Sequence, residues 1–398
     1  MATLSGSHSF CEGNTTEYKQ TELILGLCAH GMGNPQLYCR LVVETDLFTN
    51  WAWLLERAER HGLAPLVQMH LEAAGALVPA NTRRALKALA ARHRLAGSIQ
   101  MRALGEILQA YRDEDIPCLV LKGAALAHLV YPSSELRPMS DIDLLVKRAD
   151  AARTQSILAG LGFEREVSHA ALLPRDHHHL PNVTRRDHGL LVSVENHLDL
   201  FPHTRYYRSR CFEDLYPNAL AFSIGEIEAM TLGCEDLLWH VYRHAVGSPL
   251  LLSRLRFIHL ADLINLVETF ADVIDWGILR RRYPELVHIL PQLHFLSPFP
   301  ETFVEKLDID LSHVPSGIAE DYLGWPRHPL GNTANAGRSN IIRFTFSPPE
   351  WWLRLYYGGN NPSGWFWRRY IRHPAHLVEW IFHFTKERFG RKIHQPQL

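Results

Sequence analysis

The chain has 398 residues, a formal net charge of −1, and 46% hydrophobic against 21% charged residues. That length is enough for two or three domains with a sizeable core, and the near-zero charge excludes recognition of nucleic acid or membrane through a global field. No run of about 18 or more uncharged apolar residues is present to span a bilayer.

In chain order, residues 1–15 are small and polar and read as a disordered tail without an apolar leader block. The six cysteines Cys11, Cys28, Cys39, Cys118, Cys211 and Cys234 form no C-x-x-C pair, which points to a reducing, cytoplasmic compartment. Residues 16–82 form an N-terminal helical region, because Thr21 to Leu27, Leu37 to Val43 and Phe48 to His61 place apolar residues at helical spacing and another short helix follows Pro65. Thr82 to Arg112 is a long helix with Leu86, Leu89, Ala90, Ile99, Leu104, Ile107, Leu108 and Tyr111 on its apolar stripe.

A core region follows over residues 83–225. Cys118 to Leu121 is a short buried strand ended by Gly123, Ala124 to Tyr131 is a helix, and Pro132 to Pro138 is a loop leading into the strand Asp141 to Val146. Ala149 to Leu161 is a helix, and Val183 to Phe201 reads as a hairpin turning near Asp187, His188 and Gly189. On its second arm Leu191, Ser193, Glu195, His197 and Asp199 share a polar face, and Val192, Val194, Asn196 and Leu198 share the other. From Glu226 to about Leu296 the pattern is helical, giving a helical domain over 226–300 and an aromatic, basic lobe over 301–398. Between Arg343 and Leu398 there are nine Lys or Arg against three Glu, with five of the ten tryptophans.

The chemistry-bearing residues frame one stretch. Asp141 and Asp143 stand at i and i+2 on an extended segment, so their carboxylates share a face. Such a pair can hold hard divalent cations, which prefer oxygen ligands; the structural alternative is two exposed turn caps. Glu195 could add a third acid or be an edge-strand partner of an arginine, with Asp199 as its substitute on the same face. His197 could orient a carboxylate or a substrate, or be a half-buried structural residue. His240 and His244 have the i, i+4 spacing of a helical zinc site, but the pattern lacks the H-E-x-x-H glutamate and an obvious third ligand; His177, His178 and His179 lie in a loop. Glu235 and Asp236 read as a helix-start acidic pair.

The segments "LVLKGAALAHLVYPSSELRPMSDIDLLV" and "LVSVENHLDLF" resemble the uncharacterised-nucleotidyltransferase family of the DNA polymerase beta superfamily. The resemblance is carried by Lys122, Gly123, Ala125, Tyr131, Arg137, Ser140, Asp141, Asp143, Glu195 and His197. It implies an α+β fold, with a small mixed β-sheet core flanked by helices, an N-terminal helical region and a helical C-terminal half. It further implies transfer of a nucleoside monophosphate from a nucleoside triphosphate to a hydroxyl of an unidentified acceptor, whether small molecule, sugar, peptide or RNA, with release of pyrophosphate. Asp141, Asp143 and Glu195 would ligate Mg²⁺ or Mn²⁺, and Lys122, Gly123, Ala124, Arg137, Ser140 and His197 would face the substrate. The wider superfamily's glycine-serine turn is here Gly123-Ala124, which supplies no hydroxyl.

Two other expectations are of different classes. The fold could serve as a catalytically silent binding or assembly module, or residues 343–398 could act in peripheral contact with RNA or a membrane surface. Against the last stands the packing of Trp351, Trp352, Trp365, Phe366 and Trp367 as the core of a small lobe.

Overall fold

A computed structural model describes residues 15–165, 178–201, 210–246, 256–309, 345–348, 350–357 and 364–389. All but the last residue of the 1–15 tail, and His177, lie outside the described residues.

Five helices open the chain: α1 Thr15–Leu27, α2 Pro35–Asp46, α3 Trp51–His61, α4 Ala64–Ala73 and α5 Ala80–Asp113. Asn34 and Asn50 cap α2 and α3 by accepting from the amides of Leu37 and Trp53. At about 1.5 Å per residue α5 is roughly 50 Å long, and its buried stripe serves two cores. Leu86 joins the helical core, whereas Ile99, Leu104, Ile107 and Tyr111 pack on the sheet.

The sheet has the order β1-β2-β5-β4-β3, with β1 Cys118–Val120, β2 Ile142–Val146, β3 Glu164–Arg165, β4 Val183–Asp187 and β5 Leu190–His197. Strands β2 and β5 run parallel and the other pairs antiparallel, which makes the sheet mixed. Helix α6 (Lys122–Leu129) follows β1 and α7 (Ala151–Gly160) follows β2. The turn between β4 and β5 places His188 at φ 45 and Gly189 at φ 84, the left-handed pair a tight two-residue hairpin requires. Val192 and Val194 face the core as the alternation predicts.

Ile142, Leu144, Leu145 and Val146 are all 0% exposed. At about 1.5–3 kcal/mol for each such side chain, these four are enough to carry the carboxylate of Asp143 into the interior against a desolvation cost of several kcal/mol.

One stretch departs from the helical reading after Glu226. Leu220–Ile224 (β6) and Ile227–Thr231 (β7) form a second antiparallel hairpin after the short α8 (Phe212–Leu215). The Thr231 hydroxyl donates to the Val120 carbonyl at 2.6 Å, seating this hairpin against β1. Helices α9 Cys234–Val246, α10 Phe257–Phe270, α11 Trp276–Arg282, α12 Pro284–Leu296 and α13 Glu301–Lys306 complete the second half.

The N-terminal helices and this second half share one hydrophobic core. His30 bonds Glu268 at 2.8 Å and the Ser297 hydroxyl at 2.8 Å, and the Phe257 amide donates to His61 Nδ1 at 3.1 Å. Part of the aromatic C-terminal lobe is core as well. Trp352 is 2% exposed and stacks on Tyr356, whose carbonyl accepts from Arg243.

Candidate active site

The parallel register sets Asp143 of β2 directly opposite Glu195 of β5, so both side chains leave the sheet on one face. Glu195 is not an edge residue, since β5 lies between β2 and β4. His197 Nε2 donates to Asp143 Oδ1 at 2.9 Å, and Lys122 Nζ donates to the same oxygen at 3.2 Å. His197 Nε2 also stands 3.7 Å from Glu195, and His179 Nδ1 lies 3.1 Å from the Glu195 carboxylate. Among the described residues, Asp143, Glu195 and His197 are the group of three metal-ligating side chains drawn together, each offering an atom within 4.8 Å of the others.

Strand β2 begins at Ile142, so Asp141 stands just before the ladder, half-buried, and accepts from the Ser140 hydroxyl at 3.0 Å. It stays in electrostatic reach of Asp143 and Lys122 and lines the same pocket, though it is not in the three-residue group.

Charges on these groups follow from their surroundings. Burial opposes ionisation of Asp143, but the Lys122 ammonium and the His197 hydrogen bond hold its carboxyl well below the usual carboxylate range. Burial raises Asp141 and Glu195, and the Asp143 charge adds to both shifts against the pull of Lys122 and, for Glu195, of His197. Burial lowers Lys122, yet Asp143, Glu195 and Asp141 together raise it above its ordinary value. Lys122 opens α6 at φ 47, a left-handed conformation unusual outside glycine and held here by the buried ion pair.

The pocket beside these groups has a volume of about 250 Å³ and lies between the β1–α6 turn, the Pro138–Asp141 loop and the helices α9 and α10. Lys122, Gly123, Arg137, Ser140, Asp141 and Asp143 line it from the sheet side, and His244, Arg256 and His259 from the helical side. Arg137 is not free: it makes a two-pronged pair with Asp262 of α10, 3.1 and 2.7 Å, and Tyr131 donates to the same carboxylate at 2.8 Å. Ala124 turns its methyl into the sheet core at 1% exposure, so it can meet a ligand only through its backbone amide. His197 is bound to the carboxylates and does not line the pocket, which favours its orienting role. The expected substitute acid Asp199 is engaged by Arg148 at 2.5 Å.

Several residues of this site carry no local motif. Arg256 has a buried Nε without a hydrogen-bond partner among the described residues, and burial together with Arg137 pushes its guanidinium below the ordinary value. His244 lines the pocket and His240 is buried beside it; burial, with Lys122 adding, keeps both rings neutral well below the ordinary histidine range. Among the described residues no third metal-ligating side chain is grouped with them. The helical spacing found His240 and His244, but no sequence signal separates Arg256 and His259 from other surface-biased residues. Asp236, read as a helix-start acid, lies in the first turn of α9 and also accepts from the Tyr283 hydroxyl at 2.6 Å.

A small mixed sheet with acids on neighbouring strands, a lysine-glycine turn at its edge and a helical wall across the pocket defines an α+β protein of nucleotidyltransferase type. The sequence model of the family described as uncharacterised nucleotidyltransferase matches residues 49–288, and the chain belongs to that family. Among solved structures it is similar to an antigenic nucleotidyltransferase-like protein from Paracoccidioides brasiliensis, at 15% identity over 48% of this chain and 90% of that one, with a TM-score of 0.31. No curated protein matches the chain. No helix among the described residues is long and apolar enough to cross a membrane.

Proposed function

We propose that this protein transfers a nucleoside monophosphate from a nucleoside triphosphate to a hydroxyl of its acceptor. The observation that carries the reading is the division of charge across one pocket, with Asp141 and Asp143 beside Lys122 on the sheet side and, on the helical side, Arg256, whose Nε has no hydrogen-bond partner among the described residues. A cation-bound triphosphate has the matching polarity.

The donor set suits a divalent cation: Asp143 and Glu195 offer hard oxygen ligands on adjacent strands, and the raised values of Glu195 and Asp141 mark negative charge that a cation would relieve. Asp143, Glu195 and Asp141 would hold Mg²⁺ or Mn²⁺, with His197 as a nitrogen donor or as the orienting partner of Asp143. Bound there, such an ion supplies Lewis-acid activation of a hydroxyl and neutralisation of phosphate charge.

The chain's own groups then bind and position. Lys122 and Arg256 neutralise phosphate oxygens, and the free first-turn amides of α6 at Gly123 and Ala124 donate to them. Arg137, fixed by Asp262, lends charge and shape to the floor and does not swing to the ligand. An acceptor hydroxyl oxygen attacks the α-phosphorus, the bond from that phosphorus to its bridging oxygen breaks, and pyrophosphate leaves; the hydroxyl proton passes to a carboxylate of the cluster. About 250 Å³ is smaller than the roughly 300–1,000 Å³ of pockets that enclose a whole ligand. The pocket therefore takes the triphosphate, and the nucleoside extends past its mouth.

The test incubates the purified protein and its Asp143→Asn variant with Mg²⁺ or Mn²⁺, each of four α-labelled nucleoside triphosphates, and a cell lysate. Label appearing in a lysate component with the wild type alone supports the reading and identifies the acceptor class. Absence of both nucleotide binding and turnover in the wild type would leave a binding or assembly module.

A further inference from the structure

The last described helix is inside out for a protein surrounded by water. Trp365–Trp367, the π-turn Arg368–Arg372 and His373–Phe389 run on with helical backbone angles as one rod. Its inward face buries two histidines, His373 and His376, beside Leu377. His373 is buried, its Nε2–H donates to the Thr345 carbonyl at 2.8 Å and its Nδ1 accepts from the Tyr357 hydroxyl at 3.1 Å, and His376 lies 3.3 Å from the Tyr356 hydroxyl. Its outward face is apolar: Phe366 58%, Trp367 63%, Tyr370 51%, Ile371 50%, Val378 65% and Ile381 44% exposed. Positions 367, 370, 371, 378 and 381 keep the i, i+3, i+4, i+7 spacing of one helical stripe. Between 364 and 380 the exposed positions are these residues with Ala375 and a single charge, Arg372.

Soluble surfaces rarely carry a continuous apolar stripe of this kind without a partner. The composition indicates which partner. Trp and Tyr lie among aliphatic residues, Arg369 stacks on the Trp365 ring at 4.9 Å and Arg372 on the Tyr357 ring at 4.8 Å, and the stretch from Arg343 onward carries an excess of six positive charges on a chain whose net charge is −1. A helix with an aromatic-aliphatic face bordered by arginines, too polar to cross a bilayer, is the kind that lies in the plane of an anionic lipid interface. We infer that the helix Trp365–Phe389 docks this protein on the surface of an anionic phospholipid membrane, with Trp367, Tyr370, Ile371, Val378 and Ile381 entering the headgroup boundary.

Flotation of the full-length protein with vesicles of phosphatidylcholine alone, and of phosphatidylcholine with phosphatidylglycerol, tests this. The expected result is binding to the anionic vesicles, weakened at least tenfold by Trp367→Ser with Val378→Ser and weakened also by 0.5 M salt, with a blue shift of tryptophan fluorescence on binding. Because the double variant changes exposed side chains, unaltered circular dichroism and nucleotide binding would separate lost docking from lost folding. Arg372→Glu gives a second reading, a reduced preference for the anionic vesicles. The inference is overturned if the wild type ignores both vesicles. It is equally overturned if the double variant converts a dimer to a monomer without changing lipid binding, or if the same face retains RNA in place of lipid.

Discussion

The guanidinium of Arg137 occupies the space that a side chain at position 123 would need. A Cβ on Gly123 would lie 2.0 Å from Arg137 Nη1 and 3.2 Å from Met139 Cβ. Glycine at the turn is thus required by a close approach, and that approach binds the β1–α6 turn to α10 through the Arg137–Asp262 pair.

Gly123→Ala therefore costs more than a surface glycine replacement. Overpacking is worth about 1–3 kcal/mol, and dislodging Arg137 would leave Asp262 buried without its partner, a loss of about 3–5 kcal/mol where it is complete. The expected outcome is a destabilisation of at least about 2 kcal/mol in chemical denaturation, together with weaker nucleoside triphosphate binding. A variant with wild-type stability would show that Arg137 can move aside freely.

Asp143 serves two ends at once, as the carboxylate on which Lys122 and His197 converge and as a pocket wall. Asp143→Asn is expected to lower any transfer rate by about 10²-fold or more and to destabilise the fold, since buried Lys122 loses its counter-charge. Lys122→Met combined with Asp143→Leu should recover most of that stability, because a well-packed apolar pair can replace a buried ion pair, while activity stays lost. If the double variant were less stable than the sum of the single ones, the pair would not be coupled as the geometry implies.

Residues within one motif were legible in the sequence; residues that meet across the fold were not. Lys122, Gly123, Asp143 and Glu195 are adjacent to strands whose apolar runs and hairpin turn announce themselves, and the sheet brings them together. Arg137 was visible as a cation, but its partner lies 125 residues away on α10, so nothing local says that its charge is already neutralised. Arg256 and His259 reach the pocket by tertiary packing alone. Strand β7 was hidden because Glu228, Ala229 and Met230 are good helix formers; the alternation that buries Ala229 and Thr231 against the sheet overrides that preference. Asp141 stands one residue before β2, which starts at Ile142, and still lines the pocket together with Asp143.

Arg256 separates phosphate binding from chemistry. Its Nε has no hydrogen-bond partner among the described residues, so Arg256→Gln should cost the fold within about 0.5 kcal/mol of nothing. Loss of one charge-assisted contact, about 1.5–3 kcal/mol, should weaken binding of a nucleoside triphosphate or of inorganic tripolyphosphate on the order of tenfold to a hundredfold. Nucleoside monophosphate binding should change little. Calorimetric titration of the three ligands checks this, and equal losses for all three would remove Arg256 from the phosphate site.

Acid should unfold this protein through histidines remote from the carboxylates. His70 is fully buried, its Nε2–H donates to the His30 carbonyl at 2.7 Å, and its Nδ1 has no hydrogen-bond partner among the described residues. Burial, partly offset by that carbonyl, lowers His70 from 6.5 to about 4. His61 accepts the Phe257 amide, which it can do only while neutral, and burial with Arg57, Arg60 and Arg256 holds it well below the ordinary range. Burial and Arg243 bring His376 to about 4. For each, the folded value lies below the unfolded one, so below pH 6.5 the unfolded chain takes up protons that the folded chain refuses. The stability these neutral rings contribute is complete above about pH 6.5 and falls away as the pH drops toward about 4. His70 alone accounts for a difference on the order of 3 kcal/mol between those limits. Denaturant titrations at pH 7.5, 6.0 and 5.0 should show a steadily falling unfolding free energy. His70→Gln, which keeps a donor for the His30 carbonyl, should flatten that slope. A stability independent of pH across this interval would mean that the buried rings accept protons in the folded state.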